Sequence, residues 1–287
     1  MQTATITRTR RAANNDNRKI MIGLEIHGYL NMAESRAKLF CNCAIEPTAE
    51  PNTTICPVCT GQPGSKPMLP NSEAIDKIVA IAAMLDCRIN ERLIFQRKHY
   101  DWPDMPTGYQ RTMSGSYSVP VGQEGSFLGI GIEEVHLEED PARWDPETGL
   151  VDYNRSGYPL VEIVTKPDFS SAEEVRVWLR RLVTMLSYIK AIDPDIGVKA
   201  DVNVSVAPDF LRVELKNINS FRSIVRAIEY ETARQQQEIR EGKKVARETR
   251  AWRDAEGISV FMRQKETAVD YMFIPDPDLP VVKVTAA

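Results

Sequence analysis

Three stretches of this chain alternate apolar and polar residues without a break, and that period restricts the fold more than any other feature. In KIMIGLEIHGYL, Ile20, Ile22, Leu24 and Ile26 fall on one side, with Gly23, Glu25, His27 and Tyr29 on the other. Successive side chains of a strand point to opposite faces, so this reads as a strand with one polar face. In GVKADVNVSV, Val198, Ala200, Val202, Val204 and Val206 oppose Lys199, Asp201, Asn203 and Ser205. After a turn at Pro208 and Asp209, LRVELKN sets Leu211, Val213 and Leu215 against Arg212, Glu214 and Lys216. The pair predicts a hairpin with one apolar face and one face of paired opposite charges.

Helical spacing follows elsewhere. SEAIDKIVAIAAMLD opens at Asn71 or Ser72, and a second helix is expected from about Ser171 to Ile189, capped by Ser170 or Ser171. Its buried stripe is Val175, Trp178, Leu179, Leu182 and Leu186. A third begins at Asn219 or Ser220 and stops at Gly242. Helices on both sides of the hairpin in sequence can cover its apolar face, leaving the charged face to solvent or a polar ligand. The expected class is α+β with a largely antiparallel sheet.

With 287 residues and 43% hydrophobic content, the chain can bury a proper core. No run reaches the roughly 18 apolar residues of a membrane helix, and the N-terminus lacks a secretory apolar stretch, so a cytoplasmic protein with no membrane partner is expected. Residues 1–18 read as a disordered basic tail, an organelle transit peptide being the competing reading. The folded domain is then 19–287. Thirty-six Lys and Arg against 40 Asp and Glu give −4; the first 19 residues hold five basic groups and one acidic, so the remainder carries about −8. That excludes a generic polyanion binder, whose affinity rests on concentrated positive charge.

Cys41, Cys43, Cys56 and Cys59 stand as C-x-C, twelve residues, then C-x-x-C. This spacing suits a closed, structural tetrahedral zinc site in an insert at about 38–62, with unligated reduced thiols as the alternative. Cys87, at an apolar helix end, reads as a core residue. The stretch GIEEVHLEED, residues 131–140, gathers five carboxylates and His136. Such a run is either a solvated surface or a cation site, because close carboxylates repel unless screened. Glu25 and His27 share one polar face, Glu138 and Glu139 end another strand, and Glu162 interrupts the apolar PLVEIV. A lone carboxylate in an apolar strand is costly unless paired or bound to metal. His136 itself reads as a packed or surface histidine.

IGLEIH, PNTTICPVCTGQPGSKP, RKHYDWPDMPTGYQ, VHLEEDPAR, VDYNRSGYPLVEIVTKPD, ADVNVSV, ELKNINSF and DYMFIPDPDLP together resemble the catalytic part of the B subunits of glutamyl/aspartyl-tRNA amidotransferases, in order from about Ile20 to Pro280. The resemblance implies a cradle like that of glutamine synthetase and the guanidino kinases. It implies ATP phosphorylating the side-chain carboxylate of Glu or Asp misacylated on tRNA, with ammonia from a glutaminase partner displacing the phosphate. The family's magnesium ligands fall on Glu25, His27, Glu138, Glu139 and Glu162. Lys216 belongs with this catalytic set, and Arg212, Lys216, Arg263 and Lys265 are candidate clamps for phosphate or carboxylate, with surface salt bridges the alternative. Expected cofactors are ATP, Mg²⁺ and structural Zn²⁺; expected partners are an A-type glutaminase and a small C-type subunit.

Such proteins continue past DPDLP into helical and tail domains that contact tRNA, whereas this chain stops seven residues later. It also has a shortened segment before ADVNVSV. The kinase and amidation chemistry is therefore expected to be retained, whereas tRNA as a partner is in doubt without those domains unless the glutaminase partner or another chain supplies the missing contacts. Two further readings stay open: a carboxylate kinase acting on a free amino acid, peptide or metabolite, and a noncatalytic scaffold, against which the intact carboxylate set argues.

Overall fold

The computed structural model describes residues 19–193, 198–218, 220–264 and 272–284, so the basic segment 1–18 and Lys265 lie outside the described residues. The first half of the chain holds β1 (Ile20–Tyr29), α1 (Ser72–Met84), β2 (Arg88–Ile89), β3 (Arg92–Leu93), β4 (Gln96–His99), β5 (Tyr109–Thr112), β6 (Gly122–Phe127), β7 (Ile130–Glu139) and β8 (Arg143–Trp144). After them come β9 (Val151–Asp152), β10 (Pro159–Thr165), α2 (Ala172–Tyr188), β11 (Val198–Val206), β12 (Val213–Lys216) and α3 (Phe221–Arg240). The last elements are β13 (Glu248–Arg253), β14 (Ile258–Gln264), β15 (Met272–Pro275) and β16 (Val282–Lys283).

One large sheet runs in the order β14-β13-β12-β11-β1-β10-β7-β5-β4-β15, with β6 pairing the first half of β7 and β2 beyond it. Its pairs are antiparallel except β12 with β13, which are parallel and joined through α3. A parallel pair needs a long crossover, and the helix supplies it. The hairpin expected from the alternation is β11–β12, in register Val202 with Leu215.

Ile22, Leu24, Ile26, Val161, Ile163, Val135, Leu137, Val202, Val204, Val213 and Leu215 are all buried on one face of this sheet. The stripe Val175, Trp178, Leu179, Leu182 and Leu186 of α2 and Ile224, Ala227 and Ile228 of α3 belong to the same core. Phe127 and Phe169 stand edge-on to Trp178, at 5.6 and 5.3 Å between ring centres. The indole N–H is satisfied by the Phe127 carbonyl at 2.8 Å, which lets a polar group sit in this core. Helix starts are set by side chains: Asn71, Ser171 and Ser220 accept from the backbone N–H of Glu73, Glu174 and Ser223. Cys87 is half-buried and packs against the core. Among the described residues no helix is long and apolar enough to cross a membrane.

Between β1 and α1 a long loop carries the four cysteines and docks on the segment around β9. The Asn52 side chain accepts from Tyr153 N at 2.7 Å, Asn154 accepts from Thr54 N at 2.9 Å, and the Ser156 hydroxyl donates to Cys59 O at 2.7 Å. Gly61 has φ +66°, and a Cβ there would lie 2.4 Å from Pro106 O. Only glycine fits that approach.

A buried carboxylate ties α3 to the sheet edge. Glu231, with a fully buried side chain, accepts from Arg234, from Gln235 at 2.9 Å and from Ser259 at 3.0 Å, with Arg250 3.7 Å away. Replacing it by alanine leaves Arg234 with Glu238 and Glu248 and Arg250 with Glu248, but it removes the acceptor of the buried Gln235 and Ser259 side chains, and we expect Glu231→Ala to cost about 1–3 kcal/mol. The check is the urea midpoint; a midpoint equal to the parent's would show that these contacts do not hold α3 in place.

Candidate active site

Because strand side chains alternate, the face opposite the core collects the polar members of every strand. On β1, Glu25 faces Asp201 of β11 and His27 faces Lys199, while across the other edge His27 faces Glu162 and Glu162 in turn faces His136 of β7. The face encloses a cleft of about 540 Å³ lined by Glu25, His27, Glu138, Glu162, Asp201 and Lys216, with Lys98, Arg155 and Lys199 on its walls. An adjoining recess shares Glu25, Glu138 and Glu162 and adds Glu134 and Arg212.

Glu162 is the centre of this arrangement. Its Oε2 lies 2.9 Å from His136 Nε2 and 3.5 Å from His27 Nε2, while His136 also reaches Glu138 Oε1 at 3.4 Å and Glu134 Oε1 at 3.1 Å. Burial alone would lower the His27 imidazole, but the Glu162 carboxylate overrides it and carries the group up to about 9. The same contest leaves His136 raised. Burial also works against charge on Glu162 and Glu138, yet His136 and His27 hold the Glu162 carboxyl low, and His136 with Lys98 holds that of Glu138 low. Glu25, with burial, Glu162 and Glu214 all opposing its charge, is pushed up. Ligand atoms of His27, Glu138 and Glu162 lie within 4.8 Å of one another, as do those of Glu25, Asp201 and Glu214. Two such groups could each hold a cation.

Glu139 is not brought to this face. Its neighbour Glu138 points into the cleft and accepts from Gln110 at 3.1 Å, so Glu139 must point the other way. There it receives the Arg111 backbone N–H at 3.1 Å and the Arg111 guanidinium at 3.2 and 3.3 Å. Arg111 and Arg97 also grip Asp276, at 3.0 and 3.1 Å, and Arg97 reaches Asp278 at 2.6 Å. Glu139 thus belongs to an ionic clasp holding the DPDLP segment to β4 and β5. The structure thus places Glu139 with Arg111, apart from the other expected ligands Glu25, His27, Glu138 and Glu162, which gather at the cleft.

Of the expected clamps, Lys216 projects into the cleft, 2.6 Å from Asp201 Oδ2 and 3.2 Å from Glu214 Oε1. Arg212 lines the adjoining recess. Arg263 lies on exposed β14 opposite Thr249, and Thr249 donates to Glu214 Oε2 at 3.0 Å, so by register Arg263 shares the polar face farther along. His136, read as packed or surface-exposed, is packed but among three carboxylates. Asp201 and Glu214 were legible only as partners of Lys216; that they face Glu25 depends on β1 lying beside β11. Lys98, Gln110 and Arg155 carried no sequence signal.

The four cysteine sulfurs lie within 4.8 Å of one another, and all four cysteines are free of disulfides. Cys59 Sγ is 4.0 Å from Cys43 Sγ and 3.9 Å from Cys56 Sγ. Four thiolates about 2.3 Å from one ion stand about 3.8 Å apart, so the donor set fits a tetrahedral metal. A hydrogen bond from Cys41, with further help from the Cys56 backbone and the Lys38 ammonium, holds Cys59 down to about 4 despite burial. Lys38 is itself buried, its Nζ 3.5 Å from Cys59 Sγ.

Residues 20–287 match the family described as the GatB/GatE catalytic domain. The chain is 52% identical over 269 residues to the B subunit of the aspartyl/glutamyl-tRNA(Asn/Gln) amidotransferase of Methanopyrus kandleri, covering 93% of this chain and 56% of that protein. The protein of the same name from Methanocaldococcus jannaschii is 48% identical over 278 residues, covering 94% and 57%. That from Methanothermobacter thermautotrophicus is 50% identical over 265, covering 92% and 57%. The chain therefore spans a little over half the length of the curated relatives it matches.

If the two faces are assigned correctly, neighbouring substitutions should behave differently. Glu138→Gln should keep the fold and weaken binding of Mn²⁺, whereas Glu139→Gln should spare ion binding and cost about 1–3 kcal/mol of stability through the Arg111 clasp. Thermal melts and Mn²⁺ titrations separate them, and equal behaviour of the two variants would contradict the assignment of opposite faces. Protein purified without chelator should carry one soft divalent ion per chain, lost with a lowered melting midpoint in Cys56→Ser. Full ion content in that variant would remove the cysteine centre.

Proposed function

The chain belongs to the GatB/GatE catalytic domain family, and on that premise we propose that it activates a side-chain carboxylate with ATP and then amidates it. The observation that carries this reading is the polar cleft in which Glu162 is clasped between two histidines beside further carboxylates. Its volume suits a small-molecule ligand, for which pockets of roughly 300–1,000 Å³ are usual. The overall cradle is, in this reading, of the glutamine synthetase and guanidino kinase kind.

His27, Glu138 and Glu162 would hold Mg²⁺, with Glu25 next to them; the oxygen-rich donor set fits a hard ion, and the imidazole adds one nitrogen. An ion held by these residues would supply charge neutralisation to the phosphates of ATP during phosphoryl transfer. The protein's own part is positional. His27 and His136 shield Glu162 from the neighbouring carboxylates. Lys216 faces the cleft and Arg212 its adjoining recess, and both offer cationic donors to phosphate or to the substrate carboxylate, which is otherwise repelled by so acidic a surface. Conversion to an acyl phosphate makes that carboxylate electrophilic, and ammonia displaces phosphate to leave the amide. The cysteine centre, read as structural Zn²⁺ in the insert at 38–62, has no open position and takes no part in the chemistry.

The names of the relatives point to Glu or Asp carried on tRNA as the substrate, and we extend this to the present chain, with ammonia delivered by a glutaminase A-type subunit and a small C-type subunit as companion. The test is ADP release with Mg²⁺-ATP and ammonium, comparing misacylated Glu-tRNA and Asp-tRNA with free glutamate, aspartate and carboxylate-bearing peptides, with and without a glutaminase partner. We expect turnover on the misacylated tRNA, reduced on the order of 10²-fold or more in Glu25→Gln. Turnover on small carboxylates alone would replace the tRNA substrate with a metabolite, and no turnover on any acceptor with the partner present would leave a scaffold.

A further inference from the structure

Lys38 lies buried in the cysteine loop, 1% exposed, and an ammonium is seldom placed so deep without an anion beside it. Among the described residues its Nζ reaches two polar atoms, Cys59 Sγ at 3.5 Å and the Tyr153 carbonyl at 3.3 Å, with the Tyr158 ring centre 5.9 Å away. Neither the carbonyl nor the ring carries a net charge, so the counter-charge falls to the sulfur. We propose that Lys38 is a positioning residue of the cysteine centre: its ammonium donates to the Cys59 thiolate, takes up part of the centre's excess negative charge and keeps the metal-bound sulfurs unreactive. This role rests on the reading of the quartet as a metal centre, proposed above.

Charge balance gives the direction of the effect. Four thiolates around one divalent ion leave two negative charges over, and sulfurs in that state are electron-rich and attack electrophiles. A hydrogen bond from a cation is roughly twice as strong as a neutral one and draws electron density from its acceptor. Cys59 Sγ receives two donors, this ammonium and the Cys56 backbone N–H at 3.2 Å. Cys41 and Cys59 are buried, whereas Cys43 and Cys56 are partly exposed. The cation thus sits at an inner sulfur while reagents arrive at the outer pair, and charge taken up at one sulfur is felt at the others through the shared ion.

The backbone holds the ammonium in place. Lys38 N donates to Cys43 O at 3.1 Å and Leu39 N to Gly157 O at 2.8 Å, which pins the residue between the cysteine loop and the segment leading into β10. Gly157, at φ +85°, lies against the stem, where a Cβ would be 3.7 Å from Lys38 Cδ. A lysine that only tied the loop to Tyr153 would need no sulfur in reach. A buried cation kept for packing alone is often matched or bettered by an apolar side chain of similar length. The two roles therefore predict opposite outcomes for Lys38→Met.

The test uses the 287-residue chain loaded with Zn²⁺ or, for spectroscopy, with Co²⁺, and involves no assay of turnover. Hydrogen peroxide is added with a chromogenic chelator present, and released zinc is followed by absorbance. A thiolate attacks peroxide, the S–O bond forming as the O–O bond breaks; sulfur is oxidised to sulfenate, peroxide is reduced to water, and that sulfur's hold on the ion weakens. We expect Lys38→Met to release zinc about tenfold faster than the parent, and Lys38→Gln, which keeps a donor without the charge, to fall between them. With Co²⁺, the sulfur-to-metal charge-transfer band should move to longer wavelength in Lys38→Met, because a sulfur relieved of its hydrogen bond gives up an electron more easily. Circular dichroism establishes that each variant is folded, and if Lys38→Met is not, Lys38→Gln decides by the same two readings. The parent's release rate and the parent's band in the folded variant overturn the proposal and leave Lys38 a packing residue. A parent chain that takes up no ion would remove the metal centre, and this role with it; equal rates in loaded chains would remove the role alone.

Discussion

The polar face depends on one electrostatic constraint: Glu162 is a carboxylate in the middle of a central strand whose other flank is core. Charge in that position is tolerated only with counterions close by. His136, from one neighbouring strand, and His27, from the other, supply them at 2.9 and 3.5 Å. Both histidines have raised pKa values through that role in the ion-free site, and both sit where the sheet register puts them, so the charge balance of the site is set by strand pairing; a metal bound at His27 would displace its proton.

The same pairing separates binding from support. One face buries the aliphatic residues beneath α2 and α3, and the other assembles carboxylates, histidines and lysines around the cleft. Toward β4 and β5, the side of the sheet turned away from the cleft also carries ions, but there Arg97 and Arg111 are fully engaged with Glu139, Asp276 and Asp278. With Lys66 3.5 Å from Asp278, three cations meet three carboxylates in that clasp and fix a chain segment. In the cleft, Glu25, Asp201 and Glu214 bring carboxylate oxygens close together beside Lys216, and that crowding gives the face a capacity for cations.

The cysteine loop is held by a parallel logic. It lacks regular strands or helices of its own among the described residues, so its shape rests on side-chain hydrogen bonds to the β9 region, on Gly61 against Pro106, and on four sulfurs facing a common point beside the buried Lys38. A metal bound there would turn several weak tethers into one rigid unit.

The sequence by itself determined the α+β class, the three helices and their caps, the β11–β12 hairpin and the cysteine quartet. Those signals are local: a period of two or 3.6, a capping side chain, a short spacing. It also singled out Glu25, His27, Glu138 and Glu162, because a carboxylate in an apolar strand is conspicuous wherever that strand lies. What it could not decide was which strands are neighbours. Asp201 and Glu214 join Glu25 only because β1 lies beside β11, and His136 becomes a counterion only because β7 lies beside β10. Glu139 fell the other way, since the two-residue period that put Glu138 in the cleft turned its neighbour toward Arg111. Alternation assigns each residue a side of its own strand; only the tertiary pairing of strands far apart in the chain decides which side faces the cleft and which charges meet there.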